Sequence, residues 1–433
     1  MTRRGGYGGR LALPAILLAL LVGGCAGQEA ELPESQARPS APAETRSVRR
    51  PTPTEDRAAL RVLLERRFAA LQRGRPSAYA ATAAPDRRRH DAADGRRADG
   101  LDLRALSVRV SSLRLRDDRA ALTANITYRM AGAPGRWKYV QRIHARRTAK
   151  GWRVTRARTS KPQPPWELAA YRTIDTRHFR VLVPAGVSPA AADLEGVLER
   201  AYAEIGNRLP GRLARRYVVL IATDGRDLGA MAPAVRGVSQ LSAITDLAVR
   251  TAGPAERVTE VVALRVLVPW ESFVTASPEM RSRVLAHELA HAALAPVTSG
   301  RTPAWLQEGI ALYVSGDRRV APEGLLTGAL SASGATRATL ARLARPDAMS
   351  TLDGGHLSAA YRLSSSAGFY IAARYGPDRL LELLHAYNDE TLPGDAGRAL
   401  SSAVTRRTLG VGLDQLERDI RAWERDGGPV LGG

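Results

Sequence analysis

The spacing of apolar residues changes character several times along this chain of 433 residues. Residues 11–24, "LALPAILLALLVGG", are almost all apolar, but fourteen residues are too few to cross a bilayer as a helix. Residues 25–54 carry almost no large apolar side chain and are rich in Pro, Ala, Ser and Glu. Such a stretch cannot bury a core and reads as a flexible tether. In "EDRAALRVLLERRFAALQRG", Leu60, Val62, Leu63, Phe68 and Leu71 recur at helical spacing. The polar residues 85–100 read as a loop. Four strand-like stretches follow: "LSVRVSSLRLR", "AALTANITYRMAG", "RWKYVQRIHARRTAKG" and "WRVTRART". The period of two in the first, and the Asp117-Asp118 pair before the second, predict antiparallel hairpins.

A Pro-rich joint, "SKPQPPW", separates these strands from the second half. There "HFRVLVP" and "RRYVVLIAT" read as strands, "SPAAADLEGVLERAYAEIGNRL" as a capped helix, and "RVTEVVALRVLV" as a further β stretch. Beyond residue 295 the spacing is largely helical, in "GATRATLARLAR", "LSAAYRLSSSAGFYIAARYG", "PDRLLELLHAYND" and "GLDQLERDIRAWERD". Strands first and helices later, in separate blocks, describe an α+β fold. A chain this long calls for more than one domain, and the pattern divides it at 1–24, 25–54, 55–160 and 170–428.

Composition narrows the function. The formal charge of +21 invites a nucleic-acid partner, but nearly every cation is Arg, with Lys only at Lys138, Lys150 and Lys161. Such a bias points to a GC-rich genome. The basic residues read as spread along the chain among 43 acidic ones, with no nucleic-acid-reading motif and no stacking platform. No nucleic-acid partner is expected; loose attraction to anionic membrane or wall polymers fits better. Cys25 stands alone, so disulfides are excluded. The basic opening, the apolar run and the small residues before it make "LVGGC" similar to a bacterial lipobox. The resemblance implies cleavage before Cys25, acylation of that residue, and a lipid-anchored extracytoplasmic protein. One helix and a meander closing on "GWRVTRA" resemble a nuclear-transport-factor-2-like cone domain over 55–160. His90 and His144 within it read as surface positions.

The chemistry-bearing stretch is "VLAHELAH", Val284 to His291. Ser277 is a natural N-cap, Pro278 fits the first helical position, and Pro296 forbids continuation, which predicts a helix over 278–294. His287 and His291, four apart, project from one face, with Glu288 beside them. Two imidazoles supply two corners of a zinc tetrahedron, and a third must come from elsewhere. "TPAWLQEGIALYVSG" offers Glu308 on a second helix whose N-cap and first position read as Thr302 and Pro303. It shares a face with Ala304, Ala311 and Leu312. A carboxylate on an apolar face needs a partner, and a dication is one.

HELAH followed by the Glu of "WLQEGIALY" resembles the gluzincin zinc metallopeptidases, nearest the peptidase MA-like family, over roughly residues 175 to 425. The resemblance implies a thermolysin-like domain with a small sheet, active-site helices and a helical C-terminal part. It further implies His287, His291 and Glu308 as ligands of one Zn2+, Glu288 as general base, and a peptide or protein as substrate. It places an oxyanion-stabilising Tyr at Tyr361, with His356 as the alternative. "ALRVLVP" is expected to be the edge strand that receives an extended peptide. "GAMAP" at Gly229 to Pro233 lacks the Glu and Asn with which gluzincin aminopeptidases grip an amino terminus, which favours an endopeptidase. The competing reading is a catalytically silent zinc-binding lipoprotein scaffold or ligand-binding protein of the cell envelope. A purely structural zinc site is disfavoured without Cys, and no nucleophile elbow speaks for a Ser hydrolase. His178 and His385 read as structural.

Overall fold

A computed structural model of the chain describes residues 51–132, 135–233, 243–317, 338–352, 354–392 and 394–426. The expected signal segment, most of the tether and Cys25 lie outside these residues. The first described element is helix α1 (Pro53–Gln72). Thr52 Oγ1 accepts from the Glu55 N–H, and the Thr52 N–H donates to the Glu55 carboxylate at 2.7 Å, a reciprocal cap that fixes the first turn. The inward stripe of Leu60, Leu64, Phe68 and Leu71 is buried, while Val62 faces solvent.

Two helices follow, α2 (Pro76–Ala81) and α3 (Arg88–Asp99). The second replaces the loop expected over 85–100. Its inner face is built from Asp91, Asp94, Gly95 and Ala98, so hydrophobic spacing could not reveal it. Asp91 is wholly buried because Arg67 of α1, also wholly buried, pairs with it at 2.5 Å. Arg67 also donates to Thr82 and Tyr79. Charges survive inside a core only when paired in this way.

Strands β1 (Leu103–Arg116), β2 (Arg119–Met130), β3 (Trp137–Thr148) and β4 (Gly151–Thr159) form an antiparallel meander in that order. Alternation turns Leu122, Ile126, Tyr128, Tyr139, Ile143 and Val154 inward. The Pro-rich joint is part of the core rather than a loose connection: Trp166 is buried against Tyr128 and Tyr139, ring centroids 4.9 and 5.8 Å away.

The second sheet contains β5 (Tyr171–Asp175), β6 (Phe179–Pro184), β7 (Tyr217–Ala222), β8 (Ile244–Ala252) and β9 (Arg257–Pro269), in the order β5-β6-β7-β9-β8. β6, β7 and β9 run parallel, and β5 and β8 pair antiparallel at the two edges. One correction follows. "ALRVLVP" belongs to β9, which is interior, and the edge beside it is β8, a strand absent from the sequence reading. The interior strands are apolar on both faces, as strands covered on both sides must be. Phe179, Val181, Val219, Ile221, Val266 and Val268 join a core with the helices. Leu182, Val218, Leu220 and Leu267 join the core of β1–β4 from the other side. Arg265 on β9 is buried across this junction, bonded to Asp246 at 2.8 Å and lying over Trp137. From Pro51 onward the chain is one unit.

Helices cover the far face of the second sheet. α4 (Leu194–Arg208) has Asp193 as its N-cap, so it begins later than the stretch "SPAAADLEGVLERAYAEIGNRL" that reads as a helix. α6 (Trp270–Thr275) is short, as is α5 (Gly225–Met231), which lies on the other face, its Leu228 and Met231 joining the core of β1–β4. α7 (Pro278–Leu294) and α8 (Ala304–Val314) carry the motif residues. The C-terminal part is α9 (Gly354–Tyr375), α10 (Asp378–Ala386), α11 (Arg398–Leu409) and α12 (Leu413–Arg425). Residues 338–345, within the helix predicted for "GATRATLARLAR", form turns. The result is a mixed α/β molecule with two small sheets and many helices.

Candidate metal centre

Helix α7 begins as its sequence demands: Ser277 Oγ accepts from the Met280 N–H at 3.2 Å, and Pro278 occupies the first turn. Leu285, Leu289 and Ala293 anchor it in the core. That leaves His287 and His291 on the face toward α8. The turn between the helices is clamped. The Ser299 N–H donates to Thr302 Oγ1 at 3.0 Å, so Thr302 locks the turn and Pro303 becomes the cap of α8. Arg301, itself buried, donates to the carbonyl oxygens of Tyr387 and Asp389 at 3.1 and 2.9 Å. This ties the turn to the C-terminal helices.

α8 then packs on α9 at two glycines. A Cβ on Gly309 would stand 2.7 Å from the Ser364 carbonyl oxygen, and one on Gly368 would stand 2.2 Å from the Gly309 carbonyl oxygen. Only glycine permits this approach. The crossing seats Glu308, the residue next to Gly309, against the two imidazoles.

The three donors meet closely. Nε2 of His287 and Nε2 of His291 are 3.0 Å apart, and Glu308 Oε2 lies 3.2 and 3.4 Å from them. Among the described residues this is the group of acidic, His and Cys side chains with the geometry to hold a metal ion. Donors about 2.1 Å from one tetrahedral zinc sit about 3.4 Å from each other. Glu308 Oε2 is buried and accepts no hydrogen bond, an unsatisfied anion that a dication would satisfy. Two imidazole nitrogens and one carboxylate oxygen are the donor types zinc takes when a fourth position stays open. The set fits the ion.

Electrostatics bind the triad even without metal. Burial would lower the His291 imidazolium and raise the Glu308 carboxyl. Their mutual attraction overrides both effects. It holds His291 up at about 9 and, with His287, keeps Glu308 well below the ordinary carboxylate range.

Glu288 is buried one residue from the first ligand. Thr245, on edge strand β8, has its Oγ1 2.7 Å from Glu288 Oε2 and 2.8 Å from the Glu288 carbonyl oxygen. Sequence reasoning missed Thr245. The one signal for it was the β-branched Ile244-Thr245 pair upstream of the motif. Tyr361 and His356 both lie on α9. Tyr361 is half-buried, one turn before the Ser364 crossing with α8, whereas His356 is exposed near the start of the helix. His178 Nδ1 is bonded to Glu199 at 2.6 Å and its ring stacks on Tyr202, a structural role. His90 is on α3 rather than a loop, exposed, 3.3 Å from Asp94.

No family model matches the chain, and no curated protein matches it in sequence. Among solved structures, it is similar to a domain of unknown function with a cystatin-like fold from Nostoc punctiforme. That match is 17% identical with a TM-score of 0.24, covering 26% of this chain and 81% of that one. It is also similar to a mutant M1 zinc metallopeptidase from Deinococcus radiodurans. Here identity is 14% and the TM-score 0.32, covering 74% of this chain and 61% of that one. The same mutant bound to a Tyr-Ser-Ala substrate matches at 16% identity and a TM-score of 0.32, covering 73% and 61%. The chain thus spans about three fifths of that metallopeptidase. TM-scores this low carry no weight for function.

Proposed function

We propose that this chain is a zinc-dependent metallopeptidase that hydrolyses peptide bonds outside the cytoplasm, held to a membrane by acylated Cys25. The observation that carries this reading is the spacing of three donors at the edges of a zinc tetrahedron, with a buried carboxylate beside them. His287, His291 and Glu308 would hold the ion. When bound, zinc supplies a Lewis acid that polarises a carbonyl and acidifies a water.

The remaining work falls to the chain's own groups. Glu288 accepts the proton of the attacking water and returns it to the leaving amine. Thr245 keeps that carboxylate aimed. Tyr361 supplies a hydroxyl donor for the oxyanion, with His356 the alternative. The edge of β8, next to Glu288 and unpaired among the described residues, offers backbone donors and acceptors along which an extended peptide can lie. Glu308 would be taken up by the ion, and Gly229 to Pro233 offers no carboxylate for an amino terminus. Interior peptide bonds are therefore the better substrate.

One observation favours a silent zinc-binding scaffold instead. His287 Nδ1 is buried with no acceptor, whereas ligand histidines ordinarily donate there. Quenched peptides blocked at the amino terminus separate the two readings. Cleavage by the wild-type protein, lost in Glu288→Gln with zinc retained, supports the peptidase. Zinc retention without cleavage of any peptide in a diverse library supports the scaffold.

A further inference from the structure

The positive charge is gathered in one place, which corrects the reading of basic residues as evenly spread. Between Leu103 and Thr159 stand fifteen Arg and Lys against Asp117 and Asp118, a net +13 of the chain's +21. The register of the β1–β4 sheet then sorts these residues. Since alternate side chains point inward to the core, most of these cations fall on the outer face; Arg147 is an exception, turned in to Asp56 at 2.6 Å. There Arg116 pairs with Arg119, Arg119 with Arg146, and Arg146 with Arg153, a row of four across all four strands. A second pair, Arg142 opposite Arg158, and His144 opposite Arg156 continue it.

Like charges directly opposite one another destabilise a sheet. The counter-charge that Asp118 offers this row is exposed and distant. Asp118 stands 3.9 Å from Arg119 Nε and 3.7 Å from Arg146 Nε, and the side chains of Arg119 and Arg146 are 72% and 55% exposed. The charge that would balance this face has to come from outside.

We propose that the outer face of the β1–β4 sheet docks on an anionic phospholipid bilayer. The face is broad: 12-residue strands extend about 40 Å, and four strands span about 14 Å. Between the cations lie short polar side chains, Thr123, Asn125 and Thr127. Guanidinium groups match phosphate oxygens in pairs. Single-stranded nucleic acid fits poorly, because it needs aromatic rings to stack on. Tyr128, Trp137, Tyr139 and Trp152 all turn inward and are buried. A sheet face with no projecting element offers nothing to enter a duplex groove. The proposal needs neither the metal centre nor acylation of Cys25.

The test uses the full chain carrying Cys25→Ser, so that no acyl chain can attach, mixed with vesicles of phosphatidylcholine alone or with added phosphatidylglycerol. The expected result is co-sedimentation with the anionic vesicles only, weakening as salt is raised. Arg119→Gln/Arg146→Gln and Arg142→Gln/Arg158→Gln should each lower the partition coefficient by about tenfold or more. Arg379→Gln/Arg418→Gln removes the same charge from exposed positions on α10 and α12 and should leave it unchanged. Removing opposed cations should also keep the melting temperature level or raise it, so lost binding is not lost fold. Equal binding to neutral vesicles, indifference to the sheet variants, or tighter binding to oligonucleotides than to anionic vesicles would each overturn the proposal.

Discussion

Thr245 Oγ1 lies 2.7 Å from Glu288 Oε2 and 2.8 Å from the Glu288 carbonyl oxygen. A hydroxyl has one proton and can donate to only one of them at a time. A carboxylate is the stronger acceptor, so Oε2 is held and, in the proposed reaction, Oε1 is left to receive a proton from water. In the proposed reaction the edge strand would therefore aim the base. Thr245→Val should lower kcat by about tenfold to a hundredfold with KM and zinc content unchanged, and Thr245→Ser should restore it. Steady-state kinetics on one cleaved peptide checks this; a Ser variant as slow as Val would remove the aiming role.

The crossing at Gly309 and Gly368 makes a second expectation. Ala at 309 would press its methyl on the Ser364 carbonyl oxygen at 2.7 Å. Separating α8 from α9 moves Glu308 with it. Gly309→Ala should cost about 1–3 kcal/mol of stability and weaken zinc retention in parallel, read by denaturant unfolding and chelator competition. Unaltered values of both would show that the close approach is not needed.

A third expectation concerns Glu167, half-buried beside β3 and β4. Burial raises its carboxyl to about 7, although Thr159 donates to it at 2.7 Å; Gln141 also approaches it, at 3.3 Å. Because the folded value lies above the ordinary 4.5, the fold prefers the protonated form. The contribution of Glu167 to stability is fully present below about pH 4.5 and is lost as pH rises through 7. The loss is at most about 3 kcal/mol. Glu167→Gln should flatten that part of the profile and gain stability relative to wild type at pH 8. Parallel pH–stability curves for the two proteins would contradict the assignment.

The parts of this molecule legible in sequence are those where chemistry restricts residue identity. His287, His291 and Glu288 announce themselves because helical spacing and side-chain type coincide. Ser277 and Pro278 mark the start of α7, and the structure begins it there. Glu308 stands out as an acid in an apolar run. Legibility fails where burial is achieved by pairing rather than by apolarity. Helix α3 hides behind Asp91 and Asp94, whose burial depends on Arg67 and Arg97. It fails again at β8, an edge strand whose Asp246 and Arg250 face partners across the sheet, so its alternation is weak. Thr245 was lost with it. The basic face was in plain view as composition. It became a surface only when register placed Arg116, Arg119, Arg146 and Arg153 in one row.

The central claim is that His287, His291 and Glu308 bind one zinc ion. Metal content measured by mass spectrometry, on protein from residue 26 onward, tests it most directly. The account predicts about one zinc per chain in the wild-type protein. It predicts the same in Glu288→Gln, and little or none in His291→Ala and Glu308→Ala after passage over a chelator. No metal in the wild-type protein after reconstitution, or equal zinc in all four, would contradict it.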